Sequence, residues 1–146
     1  MASELRFRQA KYPDVLQVKK LLDELENTVL DVQVFDVIFQ EYQMDANTIM
    51  YVSEASNGAI IAFISCRGHR LLHHEGLVFE IQELIVTQSA QGMGIGRRLV
   101  ELVQQEVQIR GAKSLEVTSN KRRKEAHAFY QSMGFRNSHE KFTIYF

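Results

Sequence analysis

The stretch Gln91-Gly92-Met93-Gly94-Ile95-Gly96-Arg97-Arg98 constrains this chain more than any other. It lies between an apolar run, Leu84-Ile85-Val86, and a segment whose apolar residues recur at helical spacing from Ile95. Glycine lets the backbone turn sharply and approach a ligand with no Cβ in the way. The first turn of a helix carries free N–H groups and a partial positive charge, which together hold a phosphate. A strand, a glycine loop and a helix start therefore predict a pyrophosphate cradle and a nucleotide-derived cofactor.

The glycines alone leave that cofactor open. A Walker loop needs Lys and then Ser or Thr after its last glycine. Arg97-Arg98 stand there instead, so that reading fails. A dinucleotide fold puts its fingerprint after the first strand, with an acidic residue about 20 positions later. Here the loop follows the fourth predicted strand, which weakens that reading too. A plain turn with spare glycines is the bland alternative, because a lone glycine motif has a high false-positive rate.

The remaining composition sets the class. With 146 residues, 45% hydrophobic and 24% charged, the chain has the balance of one globular domain with a sizeable core. A formal net charge of −1 offers no basic footprint for nucleic acid. No apolar run approaches the about 20 residues of a membrane span, and the first residues carry no secretory pattern. Cys66 is the single cysteine. No internal disulfide can form, which predicts a reducing, cytoplasmic setting. Cys66 ends the apolar run Ile60–Cys66 and reads as a buried thiol, not a nucleophile.

Periodicity orders the elements. Leu5–Arg8 alternates as a short strand. Pro13 suits a helix start, with Val15, Val18, Leu22 and Leu25 at helical spacing. Asp31 predicts the N-cap of a second helix carrying Phe35, Ile38, Phe39 and Tyr42 on one face. Thr48–Glu54 and Ala59–Arg67 read as strands joined at Ser56-Asn57-Gly58. Gly68–Gly76 reads as a polar loop with His69, His73 and His74, and Leu77–Thr87 as a long strand. In that strand Leu77, Phe79 and Ile81 share a face, yet Leu84 and Val86 fall on the other. A β-bulge near Glu83 accounts for the slip; burial on both faces is the alternative. A helix follows with Ile95, Leu99, Leu102, Val103 and Val107 inward, ended by Gly111. Then come a strand at Ser114–Ser119, a helix over 122–133 stopped by Gly134, and a last strand at Lys141–Phe146. The order β-α-α-β-β-β-α-β-α-β predicts an α/β (α+β) fold: a mixed, mostly antiparallel sheet with helices on both faces.

Residues downstream of the glycines narrow the function. Gln91-x-x-Gly94-x-Gly96, Asn120, Ala126, Phe129-Tyr130 and Gly134-Phe135 resemble, in order and spacing, the signature of the GNAT N-acetyltransferases. The element order resembles that family's as well, so the resemblance spans residues 1–146 as a single domain. Leu72-His73-His74, Glu80–Leu84, Gln88–Gly92, Thr118–Lys121, Ala126–Tyr130 and Ser138-His139 look most like the aminoalkylphosphonate N-acetyltransferases, and in part like aminoglycoside N-acetyltransferases.

The resemblance implies a sheet splayed between strands 4 and 5, with acetyl-CoA as cofactor and direct acetyl transfer to a primary amine of a small molecule. The amine must lose a proton and the leaving thiolate must gain one. By the family match Glu80 is the general base, with Glu83 as runner-up, and Tyr130 is the general acid. A phenol near pKa ~10 suits a thiolate near ~8.5. Read without the family, Glu80 is a solvated carboxylate and Tyr130 a packing residue. Gln91, Gly92, Met93, Gly94, Ile95, Gly96 and Arg97 would hold the pyrophosphate. The backbone of Leu84, Ile85 and Val86 would take the pantetheine arm, and Asn120 and Phe129 would complete the cofactor site. Arg67, His73 and His74 would line the acceptor pocket against an anionic group; the histidine spacing matches no structural zinc pattern, so no metal ligands are assigned, and help from a divalent metal stays open. A homodimer is expected, as family members often dimerise. The competing readings are an aminoglycoside or protein N-acetyltransferase, and a non-catalytic CoA-binding regulatory module.

Overall fold

The computed structural model describes residues 4–146. Five strands form one sheet in the order β1-β2-β3-β4-β5: β1 (Arg6–Gln9), β2 (Thr48–Glu54), β3 (Ile60–Leu71), β4 (Gly76–Val86) and β5 (Ser114–Val117). The first four pair antiparallel, and β5 joins β4 in parallel. The parallel pair requires a crossover, which α3 (Ile95–Ile109) supplies. The other helices are α1 (Val15–Glu26), α2 (Val32–Met44) and α4 (Lys124–Ser132).

Two cores sandwich the sheet. On one face Ile64, Cys66, Phe79 and Ile81 meet Leu99, Val100, Val103 and Val107 of α3. On the other, Met50, Val52 and Phe63 meet Val18, Leu21, Leu22 and Phe39 of α1 and α2. Phe63 and Phe79 are fully buried, each contributing about 3 kcal/mol of apolar burial. Asp31 caps α2 as the sequence predicts, accepting from the Gln33 and Val34 amides at 3.0 and 2.9 Å. The Cys66 thiol is buried, and burial pushes its pKa up to about 12, so it is an inert core residue.

Several expectations need correction. The polar stretch after Gly68 is not a loop as far as Gly76. β3 runs on to Leu71, pairing Gly68 with Phe79, His69 with Val78 and Arg70 with Leu77. Backbone pairing carries these residues while their polar side chains face water. Only residues 72–75 leave the ladder, as a 3-10 turn over Leu72–His74 closed by left-handed Glu75. Ile38 is exposed instead of sharing the inward face of α2, and Val100, not Leu102, completes the buried face of α3. Lys141–Phe146 forms no strand: Phe142, Ile144, Tyr145 and Phe146 all lie open to solvent. Alternation describes the faces of a strand, but a strand also needs a neighbour to bond, and this segment has none among the described residues.

Candidate active site

The bulge in β4 organises the site. Across β3 and β4, Ser65 pairs with Glu83 while the next residue, Cys66, pairs with Ile81, leaving Gln82 as the extra residue. Leu77, Phe79 and Ile81 before it, and Leu84 and Val86 after it, therefore all join the α3 core. Side chains alternate along a strand, so the same insertion turns Glu80 and Glu83 together onto the opposite, α2-facing side. An unbulged β4 would bury Glu83 against α3.

β4 and β5 also part here. Their ladder runs from Val78–Ser114 to Ile81–Val117 and stops, while β4 continues to Val86. From Gln82 onward β4 bonds only β3, and the backbone edge toward β5 is open. The sheet is splayed between strands 4 and 5 as expected, and both carboxylates stand beside the opening.

The glycine loop closes one end of that opening. Gly92 and Gly94 hold left-handed φ values of +83° and +78°, and Gly94 is the N-cap of α3. The first backbone bond of the helix runs from the Arg98 amide to the Gly94 carbonyl at 3.1 Å, so the amides of Ile95, Gly96 and Arg97 have no helical acceptor. A Cβ on Gly96 would stand 3.7 Å from Val86 and 3.8 Å from Phe129. Gly96, Val86 and Phe129, far apart in sequence, thus converge on one wall. The Gln91 amide group bonds the Val86 carbonyl at 3.2 Å, tying the loop to the end of β4. The Arg97 guanidinium bonds the Ser132 hydroxyl at 3.1 Å, linking α3 to α4.

Tyr130 sits on α4 with Phe129 and Phe135 edge-on to its ring, at 5.2 and 5.6 Å between centroids. Burial raises its pKa above the ordinary phenol value, with Arg123 pulling weakly the other way, so the hydroxyl is protonated at neutral pH. Glu80 accepts from the Thr118 hydroxyl at 2.8 Å, just past the end of β5. Asn120 acts locally: its side chain accepts from the Arg122 amide at 2.9 Å, and its carbonyl meets His127 Nε2 at 2.8 Å.

Glu83 belongs to a network the sequence did not reveal. The Ser65 hydroxyl, fully buried, donates to Glu83 Oε1 and accepts from the Glu83 amide at 3.1 Å. Tyr42 donates its hydroxyl to the same carboxylate, 3.1 Å from Oε1 and 3.3 Å from Oε2. The Arg67 guanidinium lies 4.6 Å above the Tyr42 ring centre and bonds Thr48 at 3.1 Å and Asp45 at 3.2 Å. The one available signal was Ser65, a polar residue inside the apolar run Ile60–Cys66.

Arg67 pairs directly with Glu80 across the ladder, but His73 and His74 are at the hairpin tip. At about 3.4 Å per residue the tip is well over ~10 Å along the strand from Arg67. These three predicted acceptor residues do not form one cluster. No group of three or more His, Cys, Asp or Glu side chains among the described residues is arranged to hold a metal.

Comparison with known proteins bears on the family and the fold. The profile of the Acetyltransferase (GNAT) family matches residues 16–135. An aminoalkylphosphonate N-acetyltransferase of Salmonella typhimurium is 35% identical over 136 residues, covering 93% of this chain and 88% of that protein. Among solved structures, a transcriptional regulator from Bacillus halodurans superposes with a TM-score of 0.89 at 23% identity, over 98% of this chain and 100% of that one. An aminoglycoside N-acetyltransferase in complex with CoA superposes with a TM-score of 0.87 at 16% identity, over 99% of this chain and 95% of that one. The structural likenesses speak for the fold, and the sequence matches for the family. The chain belongs to the GNAT family and is an N-acetyltransferase.

Proposed function

We propose that residues 1–146 act as a single domain that transfers acetyl from acetyl-CoA directly to the primary amine of a small, anionic acceptor such as an aminoalkylphosphonate. The observation that carries this reading is the meeting of two carboxylates and an α3 glycine cradle at one break in the sheet. The free amides of Ile95, Gly96 and Arg97, with the turn Gln91–Gly94, would hold the pyrophosphate. The open backbone edge of Leu84, Ile85 and Val86 would take the pantetheine arm as an added strand takes a sheet edge. Phe129 would pack against it beside Gly96. The identity to a named aminoalkylphosphonate N-acetyltransferase supports the acceptor class.

In this reading Glu80 takes the ammonium proton, directly or through water, and Glu83 holds the amine. Tyr130 gives its hydroxyl proton to the departing CoA sulfur. Arg67 supplies positive charge beside the carboxylates for the acceptor's anionic group. His73 and His74, at the hairpin tip, serve only an acceptor long enough to reach them. The lone buried cysteine supports a reducing, cytoplasmic setting, and the exposed aromatic run Phe142–Phe146 supports a homodimer.

The test is a pair of variants assayed with aminomethylphosphonate. In Glu80→Gln the amine must lose its proton to bulk water, so turnover falls most at low pH and recovers as the pH rises. Tyr130→Phe keeps the ring packing and acetyl-CoA affinity but slows transfer by about a hundredfold, the usual scale for a general acid. Wild-type turnover in both variants would remove these two residues from the mechanism.

A further inference from the structure

One arrangement on the α2 side of the sheet has a role that the reaction scheme leaves unused. Glu83 and Arg67 are opposite charges on neighbouring strands, yet no ion pair joins them among the described residues. Tyr42 stands between them. Its hydroxyl edge bonds Glu83 and its ring face carries Arg67. On its far side Arg67 is held by Asp45 and Thr48. Both side chains are only partly buried, where opposite charges still attract, and a long flexible arginine closes such a gap when nothing fills it.

We propose that Tyr42 is a positioning residue: its ring is a spacer that keeps Arg67 off Glu83, so that the Glu83 carboxylate stays free to receive the ammonium of the acceptor. This rests on the acetyl-transfer reading given above. The hydrogen bonds fit the role. A carboxylate has about four acceptor sites, and Ser65 and Tyr42 occupy Oε1 while Oε2 carries only the longer Tyr42 contact. Glu83 is thus held in orientation and retains capacity for a further donor. A ring face and a hydroxyl edge do this together, which no aliphatic residue of similar size can do. Burial and the neighbouring Glu83 charge raise the Tyr42 pKa, so it remains a neutral donor.

The experiment compares Tyr42→Phe, Tyr42→Ala and Tyr42→Ala combined with Arg67→Gln. Phenylalanine keeps the spacer and Ser65 still orients Glu83, so KM for aminomethylphosphonate changes by no more than about threefold, water replacing the lost donor. In Tyr42→Ala the Arg67 side chain closes on Glu83, and KM rises by about thirtyfold with a smaller change in kcat. The double variant with Arg67→Gln is compared on a primary amine that carries no anionic group, so that loss of the Arg67 charge costs no acceptor contact; with the trapping charge gone it binds that amine better than Tyr42→Ala alone. A merely structural Tyr42 gives the opposite, a double variant no better than the single. A crystal structure of Tyr42→Ala reads the same point without activity: Arg67 lies within ion-pair distance of Glu83. An Arg67 that stays on Asp45 in that structure overturns the proposal. Wild-type protein that acetylates no amine defeats the acetyl-transfer reading, and the variant's crystal structure still decides the spacer.

Discussion

Two alanine substitutions in the glycine loop separate what the backbone needs from what the cofactor needs. Gly94 has φ of +78° and open space where a Cβ would stand. The cost of Gly94→Ala is therefore conformational: about 1–2 kcal/mol for an L-residue in the left-handed region. Reduced freedom of the unfolded chain offsets about 0.4–1 kcal/mol of it. The net loss is about 1 kcal/mol, or about 3 °C in Tm for a domain of this size. Gly96 differs. It is the second residue of α3, with φ outside the left-handed region, and its Cβ would meet Val86 and Phe129 at ordinary contact distances of 3.7 and 3.8 Å. Alanine there favours the helix by up to about 1 kcal/mol, so the free protein holds or gains stability. That methyl group, however, projects into the wall assigned to the cofactor. Overfilling by one methyl costs about 1–3 kcal/mol, so acetyl-CoA affinity falls about tenfold. Urea unfolding gives the first quantity and titration calorimetry with acetyl-CoA the second. Gly94→Ala at wild-type stability, or Gly96→Ala with undiminished affinity, would refute the reasoning.

Two further predictions concern the frame around the site. In Gly68→Ala the new Cβ would stand 2.7 Å from the ring of Phe79, a fully buried cross-strand partner that cannot yield, so stability falls by about 2 kcal/mol in urea unfolding. Asp14 is buried and accepts both Arg8 Nη groups at 2.8 Å, joining β1 to the start of α1. The Arg8 hydrogen bonds hold the Asp14 carboxyl below its usual pKa, against the opposing effect of burial. A depressed carboxylate contributes stability above its unfolded pKa and loses it as pH falls through the folded value. Asp14→Asn therefore costs about 3 kcal/mol at neutral pH, and the gap to wild type narrows below about pH 4 in denaturation series.

Much of this arrangement is legible in the sequence. The slip between Leu77, Phe79, Ile81 and Leu84, Val86 encodes the bulge, because a buried face tolerates no break in alternation unless a residue is inserted. The glycines and the helical repeat from Ile95 encode the cradle. Tyr42, Ser65 and Glu83 were not legible as a unit: Tyr42 is 41 residues from Glu83 and Ser65 is 18. Only strand register and the seating of α2 bring them together. The extension of β3 past Gly68 was hidden because backbone pairing can hold polar residues such as His69 and Arg70 in a strand. Lys141–Phe146 misleads in the other direction, since its alternation fits a strand that has no hydrogen-bonding neighbour here.

The most direct test of the account is a stoichiometric assay of acetyl-CoA with aminomethylphosphonate, reading free CoA thiol and the mass of the amine product together. Direct transfer at the β4–β5 opening predicts one thiol released per acetylated amine, with no acetyl group left on the protein when the amine is withheld. Thiol release without an acetylated amine, or an acetylated protein that forms before the amine is added, would contradict it.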